Sequence, residues 1–297
     1  MMLLGDLIKA KRLENGLTQA ELAAGICTQA SISNLEKNQR IPPLMTLLAI
    51  GNRLNLNFDE LSDYAIEQEN PTSDVFNRVR TLRKQFKLKE AYDLIIEELP
   101  LDKLKTYHKK KQYYYYLGIT GLLGYNKISE AHYNFNLALS SESEPNLDFY
   151  DILTINGIGL AYYFESEEEK ARTYFEKSLV QLDQFMSQMV SLDESIEITK
   201  LYYATAKFYS EIKEYSKAVD LCSLGMQVQL DQHVNYELEM LYYEKAFNLA
   251  KLNKKSEAEE CYYYATALAK MINNTMVVET IKENIIKFRL NSTNDLL

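Results

Sequence analysis

Gly16-Leu17-Thr18-Gln19-Ala20-Glu21-Leu22-Ala23-Ala24-Gly25-Ile26-Cys27-Thr28-Gln29-Ala30-Ser31-Ile32-Ser33-Asn34-Leu35-Glu36 decides how the head of this chain folds. Thr18 followed three residues later by Glu21 fits a capping box, in which each side chain satisfies an amide at a helix start. The helix it opens is short and ends at Gly25. Thr28 then caps a second helix, whose Ile32 and Leu35 turn inward while small polar residues turn outward. Upstream, Leu4, Leu7, Ile8 and Leu13 fall near one helical stripe, and Gly16 is a natural stop. Downstream, Pro42 and Pro43 suit the first turn of a fourth helix running through Leu54, and a short fifth helix is expected around Phe58 to Tyr64.

Two short helices joined by a tight turn form the geometry that lays the second one in the major groove of double-stranded promoter DNA. Gln19 is positioned for a phosphate, whereas Gln29, Ser31, Ser33 and Asn34 can reach base edges. Thr18 and Thr28, at the helix starts, join them as candidate DNA contacts, and Lys37, Asn38 and Arg40 suit backbone phosphates. The net charge of -9 opposes DNA binding until it is divided along the chain. Residues 1–55 carry six basic against four acidic side chains, a balance of +2, which leaves -11 on the remainder. An acidic body behind a mildly basic head is repelled by DNA everywhere but at the head.

The segments Gly16 to Ala23, Ser31 to Asn38 and Ile41-Pro42-Pro43 resemble the Cro/C1 or XRE-type helix-turn-helix family. That resemblance implies an ion pair between Glu36 and Arg12 of the first helix. It also places Asn38 where the family usually has Gly, and Asn tolerates a left-handed turn.

At 297 residues the chain suits a small domain plus a larger one, expected as residues 1–66 and 74–297 with a polar linker at 67–73 around Pro71. No stretch approaches the ~20 apolar residues of a bilayer span, and Met1 to Gly5 lead into Asp6 and Lys9 without a secretory segment, so a cytoplasmic protein with no membrane partner is expected. Cys27, Cys222 and Cys261, like His108, His132 and His233, are scattered. Neither a metal site, a catalytic constellation nor a cofactor loop is expected from them.

From residue 74 to about 290 the chain turns to tyrosine-rich helical patterns. Ala91, Ala131, Ala171, Ala218 and Ala258 recur at spacings of 40, 40, 47 and 40 residues. Ala138, Ser178, Gly225 and Ala265 follow four of them by seven residues, and Gly159, Ala206 and Ala246 precede three of them by twelve. Small residues recur where paired helices must touch. The pattern resembles the tetratricopeptide repeat, with Tyr162 and Tyr209 as one internal aromatic and Phe135, Phe175 and Tyr262 as another. Five repeats and a terminal helix around Val277 to Phe288 are expected, the first being degenerate at Val79 and Glu98. The fold class is therefore all-α: a five-helix Cro/C1-type domain followed by a right-handed superhelix of tetratricopeptide-like helix pairs.

Stacked pairs create a concave wall lined by first helices. With the small residues as phase markers, Leu153, Asn156, Leu160 and Tyr163 face the groove, followed by Lys200, Tyr203 and Lys207, then Met240, Tyr243 and Phe247. Tyr113, Tyr116 and Thr120 are the poorer-phased set of the second repeat. Tyr116, Asn156, Leu160, Tyr163, Lys200, Tyr203, Lys207, Tyr243 and Phe247 are the candidate peptide contacts. Asn156, an amide among apolar neighbours, either bonds an adjacent helix or awaits a ligand. Lys200 and Lys207 either pair with carboxylates or are simply solvated.

Such a head joined to such a body resembles the RNPP family of peptide-sensing regulators of Gram-positive bacteria. The resemblance implies a homodimer in quorum sensing that binds a short signalling peptide in the groove and engages a palindromic promoter. It also places Asn156 where the family carries a peptide-binding Asn, and Tyr203 where a second Asn is expected. A repeat scaffold for protein partners and a phage-type repressor without a peptide ligand are the alternatives.

Overall fold

A computed structural model describes residues 4–37, 42, 44–54, 56, 71–104, 106–140, 149–186, 192–231 and 236–291. Among these residues there are fifteen α-helices, one 3-10 turn at Leu101–Lys103 and no strand. The chain divides into two compact units: Met1–Phe86 with Ile96–Lys103, and Lys87–Ile95 with Leu104–Leu297.

In the head, α1 spans Leu4–Glu14, α2 Gln19–Ala23, α3 Gln29–Glu36 and α4 Leu44–Arg53. Both expected caps form. Thr18 and Glu21 make the reciprocal capping box of α2, and the Thr28 hydroxyl accepts from the Ser31 amide at 3.2 Å to open α3. Gly16 and Gly25 adopt positive φ at the ends of α1 and α2, the left-handed turn that glycine enters without a Cβ penalty. Leu4, Ile8, Leu22, Ile32, Leu35, Leu47, Ile50 and Leu54 close one core. Burying a Leu or Ile side chain contributes ~1.5–3 kcal/mol, so the three from α2 and α3 are enough to hold those two short helices against α1 and α4. The expected fifth helix at 58–64 and residues 67–70 of the expected linker lie outside the described residues, whereas Pro71 opens α5 at Pro71–Lys84.

The body continues through α6 (Leu88–Glu98), α7 (Tyr107–Tyr125), α8 (Ile128–Ser140), α9 (Phe149–Phe164), α10 (Glu168–Phe185), α11 (Leu192–Glu211), α12 (Tyr215–Asp231), α13 (Leu238–Lys251), α14 (Lys255–Met271) and α15 (Thr275–Phe288). Helices α7 with α8, α9 with α10, α11 with α12 and α13 with α14 pack as consecutive pairs. All five phase-marking alanines, from Ala91 to Ala258, are buried. The aromatic positions fill the space those small residues leave. Phe135 of α8 lies between Gly118 of α7 and Gly157 of α9, where an added Cβ would come within 2.6 Å and 2.7 Å of its ring. Here glycine permits close approach between three helices, and the helical-repeat body follows from it.

Candidate functional site

The outward face of α3 carries the candidate base readers. Ile32, Leu35 and Glu36 are buried, which leaves Gln29 and Asn34 exposed and Ser31 and Ser33 half-buried. Thr28 and Lys37 are exposed at the two ends of the helix. Ser31 is partly occupied, its hydroxyl lying 2.9 Å from that of Thr28. Asn38 and Arg40 lie outside the described residues.

Behind this face sits the ion pair that the family resemblance implied. Arg12 Nε donates to Glu36 Oε1 at 2.5 Å and Nη2 to Oε2 at 3.0 Å, a two-pronged contact, while Nη1 donates to the Leu17 carbonyl at 2.7 Å. The Gln19 amide donates to Glu36 Oε2 at 2.8 Å, so in this structure the expected phosphate ligand braces α2 against α3. Burial pushes the Glu36 pKa up, but the hydrogen bonds from Arg12 and Gln19 outweigh it and hold the carboxylate below its ordinary range. Arg53 is also committed: it donates to the Leu22 carbonyl at 3.2 Å and to that of Ala24, tying α4 to the end of α2. Two of the six basic residues counted for the head therefore hold it together rather than face a partner.

In the body, three first helices enclose a pocket of about 220 Å³. Helix α11 contributes Tyr203, Lys207, Ser210 and Glu211, α13 contributes Met240, Tyr243, Glu244 and Phe247, and α15 closes it with Met276, Val277 and Thr280. Tyr203, Lys207, Tyr243 and Phe247 of the expected wall thus meet in one place. Burial raises the Tyr203 phenol far above its usual pKa, and the nearby Glu244 adds to the shift, so it remains a neutral hydroxyl.

Other expected wall residues have different surroundings. Tyr116 is a correction: at the position matching Asn156, Tyr203 and Tyr243 it is fully buried, because Tyr115 and Tyr150 pack over its ring and leave it no open face. Leu160 and Tyr163 are half-buried on α9, with the Tyr163 ring edge-on to Phe208. Lys200 lies 3.8 Å from Glu197 and over the Tyr236 ring. The Asn156 amide donates at 3.0 Å to Ser178 of α10 and at 3.0 Å to Thr205 of α11. Of its two readings from sequence, the bond to neighbouring helices is the one this structure contains.

Glu244, Glu211 and Ser210 were missed. Glu244 follows Met240 by four residues and Glu211 follows Lys207 by four, so the same helical stripe that located the aromatics reached them.

Residues 8–61 match the helix-turn-helix family. No curated protein matches the chain. Among solved structures, Bacillus thuringiensis PlcR in complex with the peptide PapR7 and DNA is similar over 95% of this chain and 99% of its own, at 20% identity and a TM-score of 0.68. This chain has the fold of PlcR. ComR from S. thermophilus in complex with DNA and its signalling peptide ComS is similar at 19% identity, with 97% and 100% covered and a TM-score of 0.57. The Streptococcus dysgalactiae SHP pheromone receptor Rgg2 is similar at 15% identity, with 96% and 99% covered and a TM-score of 0.59. The expected resemblance to the RNPP regulators is therefore carried by fold from head to body. The described residues include no helix long and apolar enough to cross a membrane and no grouping of side chains suited to a metal ion.

Proposed function

We propose that this chain is a transcription regulator that binds promoter DNA as a homodimer through α3 and is controlled by a short signalling peptide held on the inner wall of its repeat domain. The observation that carries the reading is the split of α3 into a buried face of Ile32, Leu35 and Glu36 and an outward face on which Gln29 and Asn34 are exposed and Ser33 half-buried. Amides on an exposed recognition helix pair with adenine in the major groove, while Lys37, Asn38 and Arg40 are placed by sequence for phosphates and Thr18 for a further DNA contact. Control by a peptide is supported by the fold shared with PlcR and ComR, both solved with DNA and a peptide bound, and by the pocket that the first helices enclose.

The mechanism is linkage. One head with few base contacts binds weakly, and specificity comes from two heads meeting half-sites one DNA turn apart. A peptide that binds one arrangement of the dimer better than the other shifts the population towards it. Affinity selection from random duplex DNA with the full-length chain tests the first half: a palindromic site should emerge, and Asn34→Ala should lose about 1–3 kcal/mol of discrimination at one base pair of each half-site. Selection of no site, or of the same site by the variant, overturns the reading.

A further inference from the structure

The pocket between α11, α13 and α15 holds a carboxylate whose position calls for a partner. Glu244 is 4% exposed. Its Oε1 accepts from Asn248 at 2.9 Å and it is hydrogen-bonded by Ser210, yet among the described residues no basic side chain forms an ion pair with it. Lys207 lines the same pocket but remains exposed, and a second acid, Glu211, lines it too. Further along the same helix face, Lys200 is already answered by Glu197 and by the field of Glu237. The wall thus presents more negative than positive charge at the depth where a ligand would sit.

A buried carboxylate without a counter-ion is unfavourable. Burial raises the Glu244 pKa, against the hydrogen bonds from Asn248 and Ser210 and the charge of Lys207. Around it, the rings of Tyr203, Tyr243 and Phe247 offer π faces, which attract a desolvated cation. At about 220 Å³ the pocket is smaller than the ~300–1,000 Å³ of a site for a whole small molecule, which suits one side chain or chain end.

We infer that this pocket receives a cationic group of the bound peptide, either a Lys or Arg side chain or a free amino terminus, with Glu244 as its counter-ion and Tyr203, Tyr243 and Phe247 as its aromatic walls. The inference rests on the reading of the repeat domain as a peptide receptor. Binding restores the charge partner that folding withheld from Glu244.

The test uses the full-length chain and two pools of synthetic octapeptides on a common apolar background. One pool carries a single Arg at each position in turn and the other its neutral isostere citrulline, each with a free and an acetylated amino terminus. Equilibrium dialysis with mass spectrometry reads retention. Retention of Arg over citrulline by tenfold or more indicates a side chain as the cation, and the same preference for free over acetylated peptides indicates the amino terminus. Glu244→Gln, which keeps the size of the side chain and the hydrogen bond from Asn248, should abolish the preference while still retaining the neutral pool. Lys207→Met, which removes the competing cation, should widen it. Equal retention of all forms by the unaltered chain, or a preference that survives Glu244→Gln, overturns the inference and leaves the peptide receptor standing. Retention of neither pool overturns the receptor reading, and the inference with it. If Glu244→Gln fails to fold, Lys207→Met decides: an unchanged or narrowed preference overturns the proposal.

Discussion

Arg12 and Glu36 are the pair on which the head depends most. Both are nearly buried, and Gln19 shares the same carboxylate. Removing one partner leaves a buried charge uncompensated, which typically costs 3–5 kcal/mol. Arg12→Ala should therefore destabilise the head by about 3 kcal/mol, read as a lower urea midpoint for the loss of hydrogen-exchange protection in α1 to α4. The pH dependence follows from the same contacts. The folded pKa of Glu36 lies below the ordinary 4.5, so its contribution is fully present above that value and is lost as pH falls through the folded pKa. Thermal melts from pH 5 downwards should show a loss of head stability that Arg12→Met largely removes; an identical acid profile in that variant would contradict the assignment. Asn156 presents a milder case. Ser178 and Thr205 each donate their own proton to a carbonyl of the preceding turn and accept from the Asn156 amide, so three helices are tied by one satisfied network. Asn156→Ala should cost about 1–2 kcal/mol of body stability, measured by chemical denaturation, and a variant as stable as the parent would mean that those bonds contribute nothing net.

At the scale of elements, the repeats are set by two features, of which the sequence announced one. The buried alanines were found by their spacing. The second feature is a left-handed residue five positions ahead of each: Phe86, Asn126, Ser166, Lys213 and Asn253 all have positive φ. It ends one helix and turns the chain into the next. Only the two asparagines signal it, because packing of the following helix overrides the weak local preference of Phe, Ser and Lys. Ser166→Gly should therefore stabilise the body by ~0.5–1 kcal/mol, visible as a higher Tm. Gly157→Ala should do the reverse, by about 1–3 kcal/mol, since its Cβ would strike the ring of Phe135, which is held on its other side by Gly118. The helix-turn-helix was legible almost residue by residue, because caps, glycine turns and inward apolar positions are all local. The groove wall was legible only in part. The stripe locates the wall, but whether a position on it is open depends on neighbours from other helices, which cover Tyr116 with Tyr115 and Tyr150 and bury Glu244 at the pocket.

For the whole molecule, charge decides how strongly the head can act. Of its basic residues, Arg12 and Arg53 are spent on internal contacts and Lys11 lies 2.9 Å from Glu14. With about three cations per head left for phosphates, two heads should show a slope of about -5 when log affinity for DNA is plotted against log salt concentration; a slope twice as steep would require contacts from the body. The order of the helices, the caps of α2 and α3, the repeat spacing and the acidic balance of the body were all determined by the sequence itself, because each depends on residues close together in the chain or on composition alone. Which polar groups are already satisfied was decided only by the tertiary structure. Gln19, expected at a phosphate, and Asn156, open between a neighbouring helix and a ligand, prove to be bonded across helices, while Glu244, which carried no expectation, lies buried in a pocket built from three distant helices. The physical reason is that a hydrogen bond or a desolvated charge depends on neighbours tens of residues away, and no local pattern encodes their distance.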